Sequence, residues 1–229
     1  MGINGGRSLA PVAVLGLLTF LAAGWKTPVQ AQDSASSTEQ GEAIVQRAVA
    51  FRAAHPRVRS RFEDVYRDRA RTYEARMHGQ FAMELPRAHV HLDGDTTREI
   101  TLDATGVRVL VPLGEGEPPM LLAFALDQTP LPTILGVLDG TTPARDAFAI
   151  RRIVADGDDV VELRPREPLA VIDRLWLEIA ADGAVTRALL VDAVGGSHRI
   201  VFMELDYPRR LSEAALTGRA PADAERVEP

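Results

Sequence analysis

The stretch TYEARMHGQFAMEL, residues 72–85, alternates between apolar or small residues and mostly polar ones. A period of two predicts a β-strand with one face in solvent and one face in the interior. The stretch is longer than an average strand. Its dry face therefore covers either a tightly packed core or a cavity that holds an apolar ligand.

The same alternation continues along most of the chain. Val58 and Phe62 alternate with arginines before the opening stretch, and Pro86 separates that stretch from the next strand. Glycine turn signals at 182–183 and 195–196 predict hairpins. After the second turn, we expect one strand face to carry Val201, Met203, Leu205 and Tyr207. Because no helical crossover separates these segments, the sequence predicts one antiparallel sheet.

One long helix is predicted ahead of the sheet. It begins at a capping-box pattern, STEQ at 37–40, and carries Ile44, Ala48 and Phe51 at helical spacing. Pro56 ends this helix, because the residue before a proline disfavours the helical conformation.

The segment 118–138, PPMLLAFALDQTPLPTILGVL, is almost uncharged and contains Pro130 and Pro132. Its proline-containing pairs at 118–119 and 129–130 predict the starts of two short helices. Both helices would be apolar nearly all round, so they must be buried or must cover something apolar.

Residues 1–31 have the pattern of a cleaved secretory signal: an apolar run at 9–24 is followed by Val29-Gln30-Ala31. The run is too short to span a bilayer comfortably. An uncleaved inner-membrane anchor is the alternative. We expect the folded domain at 37–211 and a disordered tail, rich in Ala, Pro and acidic residues, at 212–229.

The composition excludes several classes of function. The 229 residues contain no cysteine, so there is no disulfide, thiolate nucleophile or zinc–thiolate site. Removing residues 1–31 takes away two of the 26 basic residues and none of the 32 acidic ones, so the net charge changes from −6 to −8. This charge argues against nucleic acid as a partner and against electrostatic binding to anionic lipid surfaces. No cofactor is expected.

The local candidate for catalysis is His89, His91 and Asp93, which share one strand face and could hold a metal ion. They define an alternative function, a metal-dependent hydrolase. The chain has no G-x-S-x-G nucleophile motif and no Gly-rich phosphate loop. We therefore expect a protein that is not an enzyme.

The apolar positions include many flexible or flat side chains, which adapt to ligands of variable shape. A curved antiparallel sheet covered by two apolar helices would enclose a dry interior, and such sheets often hold ligands. The side chains in question are Met77, Phe81, Met83, Met120, Phe124 and Met203.

The order and spacing of these segments resemble the LolA-type periplasmic lipoprotein carriers over about residues 43–207. The segments that carry the resemblance are VRSRF, HGQFAMELPRAHVHL, ITLDATGVRVLVPL, the apolar 118–138 segment, DDVVELRP, IDRLWLEI and DGAVTRALLVDAVGGSHRIVFMEL. The hairpin at 189–202, with Asp192 and a glycine pair, is the most similar to the family.

This resemblance implies a mainly β fold: a half-open, curved antiparallel barrel with an N-terminal helix and short apolar lid helices. Such proteins carry the acyl chains of lipoproteins through the periplasm, from an inner-membrane donor complex to an outer-membrane acceptor. It implies a periplasmic carrier of acylated cargo, which we expect to be a monomer. The alternative within the same fold is a lipid-sensing regulator of the RseB type.

The resemblance also implies a lid latch and a set of lipid-binding residues. The family has a basic residue before the proline that starts the second barrel strand. Here that place is Leu85, and Arg87 lies two residues on, so Arg87 is the expected latch. The expected lipid-binding residues are Met77, Phe81, Met83, Val90, Leu92, Ile100, Leu102, Val109, Met120, Leu122, Phe124, Ile134, Leu135, Leu138, Phe148, Ile150, Leu177 and Met203.

Overall fold

The computed structural model describes residues 35–94, 97–113, 117–129, 131–155, 158–169, 172–218 and 225–227. Its helices are α1 (Ala35–Ala54), α2 (Leu131–Leu138), α3 (Ala144–Ala147) and α4 (Glu213–Leu216), with a 3-10 turn at Leu126–Gln128. Its strands are β1 (Arg57–Arg67), β2 (Glu74–Glu84), β3 (Arg87–Asp93), β4 (Arg98–Asp103), β5 (Gly106–Val111), β6 (Met120–Ala125), β7 (Phe148–Ala155), β8 (Asp158–Pro165), β9 (Arg174–Ile179), β10 (Val185–Val191), β11 (Ser197–Asp206) and β12 (Glu225–Val227).

These strands form one open sheet, in the order β12, β6, β5, β4, β3, β2, β1, β11, β10, β9, β8, β7. The pairings among β1 to β11 are antiparallel, and the short β12 pairs parallel with β6. The sheet does not close, since β12 and β7 remain its two edges. The predicted mainly β fold, a half-open curved antiparallel barrel with few helices, is confirmed.

The opening stretch forms β2, as its alternation predicts. This strand pairs with β1 along its whole length and with β3 on its other side. Met77 and Met83 are buried, whereas Arg76 and His78 are exposed. Gly79 lets β1 and β2 pack tightly, because a Cβ there would collide with the ring of Phe62.

The core lies on the concave face of the sheet, and its side chains recur at every second position. In β3, Ala88, Val90 and Leu92 are each about 1% exposed. Val90 pairs with Ile100 of β4, which pairs with Val109 of β5, so the same face continues from strand to strand. The alternation read from the sequence thus predicts these buried positions.

The hairpin between β10 and β11 forms as predicted from the glycine pair. The Asp192 carboxylate accepts hydrogen bonds from the backbone N–H groups of Val194 and Gly196, at 2.9 and 2.8 Å. Gly195 has a φ of +91°, a left-handed conformation that glycine adopts without steric cost. The turn therefore has the residue types that its geometry requires.

The predicted orientation of β11 is wrong for its first half. Met203 pairs with Arg61 and is 38% exposed on the outer face, while Phe202 points to the concave face. The register between β1 and β11 shifts just beyond this point, and Glu204 has a φ of +54°. A β-bulge adds one residue and so reverses the alternation. Leu205 and Tyr207 consequently face the concave side again.

The predicted helix α1 is confirmed, and it ends before Pro56 as expected, but its start differs. Ser37 lies inside the helix, and its hydroxyl donates to the carbonyl oxygen of Arg152 at 3.0 Å. The capping-box prediction is therefore wrong, because this serine bonds to β7 and not to its own helix end. Gly41 allows this close approach, since a Cβ there would lie 2.9 Å from the backbone nitrogen of Arg152.

Only the second of the two predicted lid helices forms. The residues after Pro118-Pro119 form β6, which pairs with β5 over its whole length. A short apolar run fits a buried strand and a buried helix equally well, so periodicity alone could not decide. The second predicted helix corresponds to α2, and Pro130 at its predicted start lies outside the described residues.

The tail differs from the predicted disorder in its described parts. Helix α4 packs on the outer face of β2 and β3, where Leu216 is 1% exposed and Ser212 caps the helix by accepting from the N–H of Ala215. Strand β12 adds to the edge of β6. The predicted signal at 1–31 lies outside the described residues, and none of the described helices is long and apolar enough to cross a membrane.

The bulge at Glu204 predicts an unusual response to glycine. Replacing Glu204 with Gly should leave the free energy of unfolding unchanged or raise it by up to about 1 kcal/mol, because the left-handed φ is strained for glutamate. Urea unfolding followed by circular dichroism measures this.

The matched control is Glu63→Gly, in β1, where the backbone is extended and glycine should cost roughly 0.5–1 kcal/mol. Equal destabilisation by both replacements would contradict the assignment of strain to Glu204.

Candidate ligand-binding cavity

An apolar cavity lies between the concave face of the sheet, α1 and α2. The sheet contributes side chains that include Phe81, Met83 and Val90, and α2 contributes Ile134 and Val137. The free volume is about 110 Å³. Ligand sites for small molecules usually have about 300–1,000 Å³. The cavity is thus largely filled by the protein's own side chains, and a long apolar ligand could enter only if a wall moved.

The structure brings part of the predicted lipid-binding set together. The residues that line the cavity are Phe81, Met83, Val90, Ile134, Leu138, Phe148 and Leu177. Met77, Leu92, Ile100, Leu102 and Val109 are buried in the same core without lining it. Contact of these residues with a ligand stays a prediction.

The other members of the set lie elsewhere. Ile150 is buried and lines a separate groove beside α1 and α3. Met120, Leu122 and Phe124 are half-buried on β6, and Leu135 is half-buried on α2. Met203 lies on the outer face, because it precedes the bulge that reverses the alternation of side chains along β11.

Sequence reasoning missed the contribution of α1 to this cavity. Val45, Ala48 and Val49 line it from the helix, and Leu205 and Tyr207 line it after the bulge. The apolar spacing of α1 indicated a dry face. Nothing in the sequence indicated that this face would lie over the concave side of the sheet.

Polar contacts hold α1 against the sheet. Arg47 donates to one carboxylate oxygen of Asp159 at 2.8 Å, and Arg152 donates to the other at 3.0 Å. Arg152 also donates to Gln40 at 3.0 Å. The hydrogen bond from Arg47 holds the pKa of the Asp159 carboxyl below its ordinary value; burial opposes this effect and Arg152 adds to it. Helix α1 is therefore a fixed wall.

Helix α2 is attached differently. It has no charged side chain, and its Ile134 and Val137 are about 5% and 7% exposed. After the helix, Thr142 donates its backbone N–H to the carbonyl of Gly136 at 2.8 Å, which fixes the turn and not the sheet. Apolar contacts are non-directional, and α2 has no charged side chain that could form an ion pair with the sheet.

Three polar side chains gather where α1 ends at the cavity: Arg52, His55 and Tyr207, here called the polar corner. The His55 ring stacks on Phe51 with centroids 4.2 Å apart and lies 4.9 Å from the Tyr207 ring. Burial lowers the pKa of Arg52, an effect that Tyr207 opposes. Burial and Asp182 raise the pKa of Tyr207, and Arg52 opposes this rise.

The expected latch, Arg87, is not at the lid. Its side chain extends from the outer face of β3 and donates to both carboxylate oxygens of Glu213 in α4, at 2.7 and 2.9 Å. The latch prediction is wrong because Arg87 has the strand parity of His89 and not that of the buried Val90. It holds the C-terminal helix instead.

The histidine pair also lies on the outer face. His89 Nε2 and His91 Nδ1 lie 2.5 and 3.2 Å from the two carboxylate oxygens of Glu99, and His91 Nε2 lies 3.4 Å from Asp93. Glu99 is the partner that sequence reasoning missed, although β3–β4 pairing places it opposite His91. Among the described residues, no group of three or more His, Cys, Asp or Glu side chains could hold a metal ion.

Comparison with known proteins finds similar chain folds only among solved structures. No family model and no curated protein matches the chain. A DUF1329 family protein from Desulfovibrio piger is 11% identical with a TM-score of 0.45, over 79% of this chain and 97% of that chain. One chain of the MucA/MucB complex of Pseudomonas aeruginosa is 14% identical with a TM-score of 0.41, over 79% of this chain and 61% of that chain.

A LolA superfamily protein from Nitrosomonas europaea is 13% identical with a TM-score of 0.39, over 78% of this chain and 97% of that chain. The matches thus include the superfamily whose resemblance the sequence predicted. At these identities and TM-scores, the matches say nothing of the function of this chain.

The attachment of α1 should depend on pH in a defined direction. Because the folded-state pKa of Asp159 is lowered, its stabilisation is present above the unfolded value of about 3.9 and is lost as the pH falls through the folded pKa. Asp159→Asn should therefore reduce the free energy of unfolding by about 1 kcal/mol at neutral pH. This difference from the wild type should shrink below about pH 4.

Urea unfolding across a pH series measures the effect. Asp146→Asn, at an exposed position of α3, is the control and should behave as the wild type at each pH. A difference for Asp159→Asn that persists unchanged in acid would refute the linkage.

Proposed function

We propose that this protein is a carrier that binds acyl chains in the cavity under α1 and α2 and passes them on. The observation that carries the proposal is a dry cavity with one wall held by polar contacts and another wall, α2, held by apolar contacts. Polar substrates would find few hydrogen-bond partners there, since most of the lining is apolar. The resemblance of the sequence to LolA-type carriers supports the same class of cargo.

Energetics favours exchange between the lid helix α2 and the cargo. Removing an acyl chain of about sixteen carbons from water is worth roughly 12 kcal/mol. Full burial of one large aliphatic side chain is worth about 1.5–3 kcal/mol, so the four large aliphatic side chains of α2 whose burial the structure describes are together worth at most about 12 kcal/mol. Those side chains are Ile134, Leu135, Val137 and Leu138.

The consequence is that binding replaces one dry contact by another of comparable size. Cargo is held, because its chain leaves water, and it can be released, because α2 returns to the cavity. This near balance suits a carrier better than a storage protein.

The proposed setting is the periplasm, after removal of residues 1–31. There the protein would receive acylated cargo, such as a lipoprotein, from an inner-membrane donor complex and deliver it to an outer-membrane acceptor. We propose that it does so as a monomer.

Filling the cavity should block binding. Ala48 lines the cavity from the fixed helix, so Ala48→Phe would place a ring in most of its free volume. We expect the affinity for a fluorescent acyl probe to fall about tenfold or more, at a stability cost below about 3 kcal/mol. Fluorescence titration and urea unfolding measure the two quantities.

Ala50→Phe is the matched control, because Ala50 is exposed on the same helix. It should bind the probe as the wild type does. Equal affinities for both variants would place the ligand elsewhere.

Locking α2 should slow cargo uptake. A Cβ at Gly140, just after α2, would lie 3.6 Å from Cγ1 of Val49 in α1, so Val49→Cys with Gly140→Cys brings two thiols near disulfide distance. The oxidised protein should load the acyl probe at least about tenfold more slowly than the reduced protein. Stopped-flow fluorescence measures both rates.

The chain has no other cysteine, so the reduced form of the same variant is the control. The reduced form has the same backbone strain from the substitution at Gly140, where φ is +79°, so the two forms differ only in the disulfide. Equal loading rates in the two forms would show that α2 is a fixed part of the core.

The same cavity would also serve a lipid-sensing regulator, and transfer separates the two functions. Protein loaded with the acyl probe is mixed with phospholipid vesicles, and the loss of bound probe is followed with time. A carrier releases the probe to the vesicles, whereas a sensor keeps it.

A further inference from the structure

We infer that the preferred cargo is an amphiphile with an anionic head, a carboxylate or a phosphate, whose head is bound by Arg52 while its chain enters the cavity. This inference rests on the proposed function and specifies the cargo. It predicts that an acidic lipid binds more tightly than a neutral lipid of the same chain length.

Arg52 is a cation beside an apolar space, without an ion-pair partner in the described part of the chain. It lines the cavity, and no carboxylate among the described residues forms an ion pair with it. Its Nε atom is buried without a hydrogen-bond partner. A buried donor that lacks a partner is costly, and a ligand acceptor would remove that cost.

The chemistry of the guanidinium fits an oxyanion. The group carries five N–H donors in a planar fork that matches carboxylate and phosphate oxygens. One Nη1 donor is used, in a hydrogen bond to the carbonyl oxygen of His55 at 2.5 Å. The remaining donors, together with the Tyr207 hydroxyl at the polar corner, could bind an anionic head.

A purely structural role explains only part of these contacts. Arg52 lies in the last turn of α1, where a cation is favoured by the helix dipole, and this accounts for its bond to His55. It does not account for the position of an unpaired cation at the cavity. Arg47 and Arg152 also have a buried Nε without a partner, but both pair with Asp159 and neither lines the cavity. The negative C-terminal end of the α1 dipole and the Asp182 carboxylate repel an anion that is still distant from Arg52. Only an anion in direct contact with the guanidinium would therefore gain.

The test compares lipids that have the same chain length and different head groups. Dissociation constants are measured by displacement of a fluorescent acyl probe with hexadecanoic acid, its methyl ester, hexadecyl phosphate and hexadecanol, at a pH that ionises the acid and below the concentrations at which these lipids aggregate. The proteins are the wild type, Arg52→Gln and Arg47→Gln. Arg47 is the matched control, because it lies on the same helix and pairs with Asp159.

In the wild type, each anionic lipid should bind about tenfold or more tightly than its neutral counterpart. Arg52→Gln should bring these ratios near one, and Arg47→Gln should leave them unchanged. A preference for the acid alone, or for the phosphate alone, would identify the head. If Arg52→Gln does not fold, the wild-type ratios still decide the inference, and Arg52→Lys tests the charge.

Two negative outcomes are distinct. Equal binding of charged and neutral lipids by the wild type would overturn the role of Arg52 and leave the acyl-chain cavity standing. Failure of every lipid to displace the probe, or of the probe to bind, would overturn the proposed function itself.

Discussion

The apolar concave face of the open sheet is the constraint on which the rest of the structure depends. A curved sheet with an apolar concave face needs a cover, because that face would otherwise lie in water. Strands β6 and β7 lie near opposite edges of the sheet, so the chain between them must cross from one side to the other. That crossing contains α2 and α3. The topology thus brings a short apolar helix to the cavity.

The two walls differ because their sequences differ. Helix α1 carries Arg47 and Gln40, which bond to side chains of β7 and β8. Such bonds are directional and are lost when the helix moves. Helix α2 has only apolar side chains and Thr133, so in the proposed function its contacts are those that an acyl chain would replace at little net cost. The outer face has a separate role: it holds α4 through Arg87 and Glu213.

Much of the fold follows from periodicity, and the exceptions have physical reasons. Alternation predicted β2 and the buried positions of β3 to β5, because successive side chains there point in turn to the wet face and the dry face of the sheet. It failed for β6, where both neighbours are apolar, and for Met203, where a bulge reverses the faces. A bulge depends on the fit between two strands, and single-strand patterns do not contain that information.

The site was less predictable than the fold, since it joins segments far apart in the chain. Phe81 and Val90 were found because they lie on dry strand faces, whereas Val49 and Arg52 were missed because the docking of α1 is a tertiary event. Arg87 was assigned from the resemblance and from its two-residue spacing from Leu85, but its strand parity with His89 places it on the outer face.

The small free volume has a consequence for the cargo. At about 110 Å³ it is below the roughly 150 Å³ of an engineered cavity that holds one benzene. The first methylene groups of a chain therefore gain little until α2 leaves, and the later groups gain about 0.8 kcal/mol each. Affinity should then rise steeply once the chain is long enough to replace the side chains of α2. Under the proposed function, the cavity would select long acyl chains through the cost of opening, and not through a fixed shape.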